Sequence, residues 1–153
     1  MELGVFLTVC QNIGLMPATQ EKQQVAAVEG WFSSEPEPHL IGKRCASCGT
    51  AVFPPIAVRC PNPLCGGDLE DAALSRTGRV WSFTINHYAP PLPYVAADPF
   101  EPFGVAAVEL DEEQMIVLGQ VEGDASKLGV GDEVEVVIGE LSDGTPVWKW
   151  AKR

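Results

Sequence analysis

From residue 68 onward, apolar and polar positions alternate along most of the chain. Trp81, Phe83 and Ile85 are interleaved with Ser82, Thr84 and Asn86, and Val134, Val136 and Ile138 with Glu135 and Val137. This period of two marks half-buried strands. The pattern predicts strands over 68–74, 78–88, 103–110, 115–121, 132–140 and 146–151. Between the fourth and fifth lies Asp124-Ala125-Ser126-Lys127-Leu128-Gly129-Val130-Gly131, which reads as a helical turn stopped by glycine and a tight turn into the next strand. Some five alternating strands with one short helical insertion and no long helix fit a small closed Greek-key barrel of the OB type. A flat sandwich is the competing arrangement.

The period changes upstream. Over 20–32, Val25, Val28 and Phe32 recur at three- and four-residue steps with Ala26 and Trp31 beside them, predicting a short amphipathic helix ended by the polar run 33–38. A helix this short is marginal alone and needs a surface, either its own chain or a partner. Residues 39–44 read as a strand, and 51–59 return antiparallel to it, bent at Pro54-Pro55. The longest irregular stretch, 89–102, holds Pro90, Pro91, Pro93, Pro99 and Pro102, which oppose helix and ladder pairing. It is either a stiff binding loop, which loses little entropy on contact, or a lid over the barrel with Tyr94 and Phe100 in its core.

The run over residues 1–15 is apolar, but Glu2 stands where a signal peptide carries a positive charge, and Thr8, Gln11 and Asn12 interrupt it. Neither secretion nor membrane spanning is supported. Cys10 reads as an ordinary thiol, and Met16 offers an alternative start. At 153 residues and 46% hydrophobic content, the chain suits one domain or two small units sharing an interface. Its charge is −11. Residues 101–153 carry twelve acids against four bases, which opposes a phosphate-backbone groove.

Four of the five cysteines fall in one window: Cys45-Ala46-Ser47-Cys48, eleven residues, then Cys60-Pro61-Asn62-Pro63-Leu64-Cys65. Two close pairs joined by a hairpin place four thiolates at the corners of a tetrahedron, the geometry of structural zinc. Gly49 and Gly66 each follow a cysteine, where a knuckle turns sharply. Two disulfides or four unrelated thiols are the alternatives, and disulfides need an oxidising compartment to which nothing in the sequence directs the chain. A metal in a reducing cytosol is the better reading. Iron takes the same four thiolates, so the ligand set alone admits it, while the lack of a redox motif nearby favours zinc. With four protein ligands no position is left for water or substrate, so the metal is structural. His39 and His87 stand without a nucleophile or carboxylate at telling spacing.

Several of these segments together resemble one family: Arg44-Cys45-Ala46-Ser47-Cys48-Gly49, Phe53-Pro54-Pro55, Cys60-Pro61 through Cys65, Gly78-Arg79-Val80-Trp81-Ser82-Phe83-Thr84, Gly119-Gln120-Val121 and Val147-Trp148-Lys149-Trp150. It pairs a rubredoxin-like zinc ribbon with an OB fold and was long catalogued as domain of unknown function thirty-five. The likeness spans about residues 20–152. The usual second knuckle is Cys-x-x-Cys, so the Cys60 to Cys65 loop is longer than the family pattern. The expected organisation is an N-terminal extension (1–19), a helix and linker (20–38), the ribbon (39–67) and the barrel (68–153).

The resemblance implies a non-catalytic accessory subunit of acyl-CoA enzymes, chiefly thiolase-like: acetyl-CoA acetyltransferases, archaeal hydroxymethylglutaryl-CoA synthase assemblies, aromatic-succinyl-CoA thiolases and steroid side-chain aldolases. The partner would carry the catalytic residues and bind most of the acyl-CoA. The residues agree, since no nucleophile is spaced with a base. Trp31, Phe32, Tyr94 and Phe100 are candidate anchors for a partner, because aromatic side chains dominate interface energetics. Their competing role is core packing. The rival functional class is a nucleic-acid-binding module, as barrels and ribbons of this kind serve that role elsewhere, and its obstacle is the acidic charge. A stand-alone enzyme is the third reading.

Overall fold

The computed structural model describes residues 26–153, and among them every regular element except one 3-10 turn is a strand. Strands β1 (Phe32–Ser33), β2 (His39–Cys45), β3 (Ala51–Val52) and β4 (Leu69–Ala73) form one small antiparallel sheet, with β2 pairing all three others. Strands β5 (Thr77–Asn86), β6 (Phe103–Leu110), β7 (Ile116–Val121), β8 (Glu133–Glu140) and β9 (Pro146–Lys152) close a barrel in the order β5-β6-β7-β9-β8. The closing pair β7 and β9 is parallel, through Gln120↔Lys149 and Val121↔Trp150. Closure leaves no barrel edge to be capped, which a flat sandwich would have required. No helix among the described residues is long and apolar enough to cross a membrane.

Three features differ from the sequence expectation. Of the helix expected over 20–32, the part at 20–25 lies outside the described residues, and 26–32 forms bends, a turn at Gly30 (φ +78°) and the start of β1. Strand pairing of Phe32 with Leu40 outweighs the helical spacing there. The strand at 69–73, expected to open the barrel, pairs with β2 from Ile41↔Ala73 to Cys45↔Leu69 and completes the ribbon sheet. In β5 a bulge between Val80 and Ser82 inserts Trp81, so the inward face changes parity: Val80 before it is 1% exposed, Phe83 and Ile85 after it pack on the core, and Trp81 is 61% exposed. One extra residue is enough to move a side chain to the other face.

The barrel core is built from Val80, Ala106, Val108, Leu110, Val117, Val121, Val134, Val136, Trp148 and Trp150, joined by Ala125 of the 3-10 turn (Ala125–Lys127) and by Leu128 directly after it. Gly119 faces inward beside the two indoles. A Cβ there would come within 2.7 Å of Trp150 Nε1 and 3.0 Å of Trp148 Nε1, so a side chain is excluded by the tryptophans. Leu40 and Leu74 of the ribbon join the same core. Above them an aromatic cluster couples the units: Trp31 lies 5.5 Å from Phe53 and 6.2 Å from Trp148, and Phe32 and Phe53 lie 5.8 and 5.9 Å from Trp148. Arg44 of β2 adds a charged link, donating at 2.9 Å to Glu113 in the β6–β7 turn, whose side chain is fully buried.

Candidate metal centre

Strand β2 delivers Cys45 into a tight turn in which the Gly49 N–H donates to the Cys45 carbonyl at 2.9 Å and the Cys45 N–H to the Thr50 carbonyl at 2.9 Å. Gly49 takes φ +74° and Gly66 φ +66°, a left-handed backbone that suits glycine, so both knuckles turn where the sequence places it. The longer second knuckle closes through Asn62: its carbonyl accepts from the Cys65 N–H at 3.0 Å and its Oδ1 from the Leu64 N–H at 3.0 Å. The Asx turn absorbs the two additional residues and still brings Cys65 back to Cys60.

The four sulfurs converge. Cys45 Sγ and Cys65 Sγ are 3.7 Å apart, Cys48 Sγ and Cys60 Sγ 3.5 Å, and all four ligand atoms lie within 4.8 Å of one another. A tetrahedron with Zn–S bonds of about 2.3 Å has edges of about 3.8 Å, so the donor set fits zinc in size as well as chemistry. Cys45 and Cys60 are buried and Cys48 is exposed. In the metal-free chain, hydrogen bonds with the Thr50 side chain and backbone draw the Cys48 thiol down to about 6, whereas burial pushes Cys60 up to about 12. Metal takes thiolates, so the cysteines that still carry a proton, Cys60 above all, release it as a metal binds. Ser47 Oγ and Cys45 Sγ crowd Gly67, where a Cβ would approach to 2.6 and 2.9 Å.

The other expected site residues do not join this cluster. Trp31 and Phe32 are partly buried in the ribbon–barrel junction, and Tyr94 and Phe100 pack on Phe103 at 5.7 and 6.3 Å, at the start of β6. All four aromatics thus have partners within the chain. His39 Nδ1 lies 2.8 Å from the Glu37 carbonyl, and His87 is exposed.

Two family models match in tandem: the rubredoxin-like zinc ribbon domain of ChsH2 over residues 32–70 and the C-terminal OB-fold domain of ChsH2 over 71–139. The chain is 32% identical to the benzoylsuccinyl-CoA thiolase subunit BbsA of Thauera aromatica, across 69% of this chain and 67% of that one. It is 29% identical to a DUF35 domain-containing scaffold protein of Methanothermobacter thermautotrophicus, across 76% of this chain and 84% of the relative. The chain belongs to the DUF35 family. Its fold also matches a chain of the Ltp2-ChsH2(DUF35) aldolase with a TM-score of 0.58 and 28% identity, over 74% of this chain and 84% of that one. In this DUF35 protein the two family models adjoin at residues 70 and 71, within β4. Its four cysteines form a site able to hold zinc, and membership in the zinc-ribbon family supports a structural role for that metal.

Proposed function

We propose that this protein is a non-catalytic accessory subunit of a thiolase-like enzyme that processes acyl-CoA, seating on the partner and helping to shape its acyl-CoA site. One observation carries the reading: a single ribbon–barrel unit matches, over most of its length, both a named thiolase subunit and a chain of a named aldolase complex. The chemistry of the chain is consistent with it. Among the described residues, the four thiols of Cys45, Cys48, Cys60 and Cys65 face one another. Bound there, zinc would tie the two knuckles into one fold and leave no open coordination position for a substrate. A reducing compartment, the cytosol, keeps such thiols free to take up metal.

Co-expression with a thiolase-like enzyme, followed by gel filtration and acyl-CoA assays, tests the proposal. The expected result is a stable hetero-oligomer, with turnover in the complex and none in this chain alone. Full acyl-CoA activity of the pure chain, or a failure to co-elute with any such enzyme, would overturn it.

A further inference from the structure

The two halves of the barrel wall present different chemistry to solvent. On β8 and β9 the outward positions hold Glu133, Glu135 and Lys149 together with Val137, Val147 and Ala151, and these three apolar residues are only half-buried, none of them being an exposed large hydrophobic. On β6 and β7 the outward positions change character. The inward residues Ala106, Val108, Leu110, Val117 and Val121 alternate with Phe103, Val105 and Ala107 on β6 and with Ile116 and Leu118 on β7. Apart from Glu109 and Gln120, these strands are apolar on both faces, as strands covered on both sides are.

Register gathers the outward apolar residues into one stripe. Ala107 pairs with Leu118 on one side and with Ser82 on the other, next to the bulged Trp81, and Val105 pairs with Thr84 and Gln120. Leu118 is 63% exposed, Trp81 61% and Ile116 45%. At the β6 start, Tyr94 and Phe100 already cover Phe103. Of the rest, Trp81, Ile116 and Leu118 are exposed, and Val105 and Ala107 between them are half-buried. Acids flank the stripe at both ends: Glu109, Asp111 and Glu112 toward the β6–β7 turn, and Glu101 and Glu140 beside the cleft lined by Tyr94, Phe103 and Gln120, where the one base, Lys149, is paired with Glu122 at 3.1 Å. Arg79, on the Glu109 row, is committed to Glu133 at 2.7 Å.

We infer that the outer face of β5, β6 and β7, centred on Trp81, Ala107, Ile116 and Leu118, is the surface that seats on the partner enzyme, and that the partner presents an apolar centre flanked by Lys and Arg. This rests on the function proposed above and identifies the surface that performs it. Contiguous exposed apolar area with a polar rim marks a protein contact, and the sign of the rim selects its occupant. A second copy would set acids against acids at a chain charge of −11, and like charges brought together oppose association. A basic rim is attracted instead, with the apolar centre supplying the affinity.

The test uses the full-length chain and the thiolase-like enzyme that co-elutes with it. Leu118→Asp should weaken the complex about 30-fold or more and Trp81→Ala about tenfold or more, while Ile56→Asp, on a ribbon residue that is 71% exposed and outside both knuckles, should leave affinity unchanged. Glu109→Lys should slow association several-fold and reduce its salt dependence, with little change in dissociation. Independently of any folding defect in a variant, the Trp81 fluorescence, taken as the difference from Trp81→Phe, should be quenched by acrylamide in the free chain and protected in the complex. If the wild type binds and the face variants bind equally well with Trp81 still quenched, this surface assignment is wrong while the accessory role stands. If no thiolase-like enzyme binds the wild type, both fall together. A self-dimer dissociated by Leu118→Asp would assign the face to a second copy, and a Trp81 already shielded in the free monomer would assign it to the chain's own residues; either result overturns the inference.

Discussion

The ribbon and the barrel are sheets of similar strand count held together by different means. The barrel buries a continuous apolar interior from Val80 through Trp150. In the ribbon the buried apolar side chains besides the cysteines are Leu40 and Leu74, and both belong to the barrel's core. What remains at the ribbon's own centre is four thiols. A unit of this size cannot exclude enough apolar surface from water to fold by itself, so metal ligation and docking take the place of a core. The difference predicts that the two units respond to different perturbations.

The largest effect should come from the metal centre. Chelation, or Cys60→Ser, should abolish binding of about one zinc per chain and remove ribbon stability on the order of 10 kcal/mol, the scale of structural zinc in small domains. Hydrogen exchange should show β2, β3 and the knuckles losing protection while β6 and β8 keep theirs. Equal loss in both units would mean that the barrel also depends on the metal.

The reverse experiment attacks the barrel. Trp150→Ala removes a fully buried indole and should cost about 3 to 5 kcal/mol, and Gly119→Ala, which forces a methyl against both indoles, about 1 to 3 kcal/mol. Denaturant melts should register both losses with zinc content intact. Between these poles lies the junction. Glu113 accepts from Arg44 and lies 3.3 Å from the Ser75 N–H, so Glu113→Ala should cost about 2 kcal/mol, with Arg44 half-exposed and able to re-solvate. Glu113→Gln, which keeps an acceptor, should lose less.

How much of this was legible in the sequence follows the same division. The cysteine spacing and the glycines behind Cys48 and Cys65 announce the ribbon because metal geometry is local. The strands from 103 onward were readable from their alternation, and β6 matches its expected bounds, Phe103–Leu110. Pairing choices were not, because they depend on residues distant in sequence: β4 joins β2, and the helical spacing at 26–32 yields to the Phe32↔Leu40 pair. Trp81 misled for a further reason. A bulge shifts parity by one residue without leaving a local signature, so a tryptophan in an alternating run reads as core when it faces solvent. The outer stripe did have a signal, namely the unbroken apolar run Phe103-Gly104-Val105-Ala106-Ala107-Val108, which a strand with one wet face does not need.

The smallest effect concerns acid. Asp132 Oδ2 accepts from the Lys152 ammonium at 2.7 Å and from the Gly129 N–H at 2.7 Å, and these contacts, the lysine's first, hold its carboxyl below the ordinary 3.8. Because the folded value lies below the unfolded one, this stabilisation is fully present above pH 3.8 and is lost as pH falls through the lower, folded value. Asp132→Asn keeps an acceptor for Gly129 but loses the charge, so its melting temperature should fall slightly short of wild type at pH 7, and the gap should close as pH falls through the lowered, folded value. The ribbon behaves differently: protons compete with the metal for four thiolates whose ordinary pKa lies far higher, so zinc should leave at a pH well above the one at which Asp132 titrates. An acid titration that follows zinc release with a chelating dye and barrel packing by the near-ultraviolet circular dichroism of Trp148 and Trp150 should therefore show two separated steps, ribbon first. A single step at one pH would mean that ribbon and barrel stand or fall as one unit.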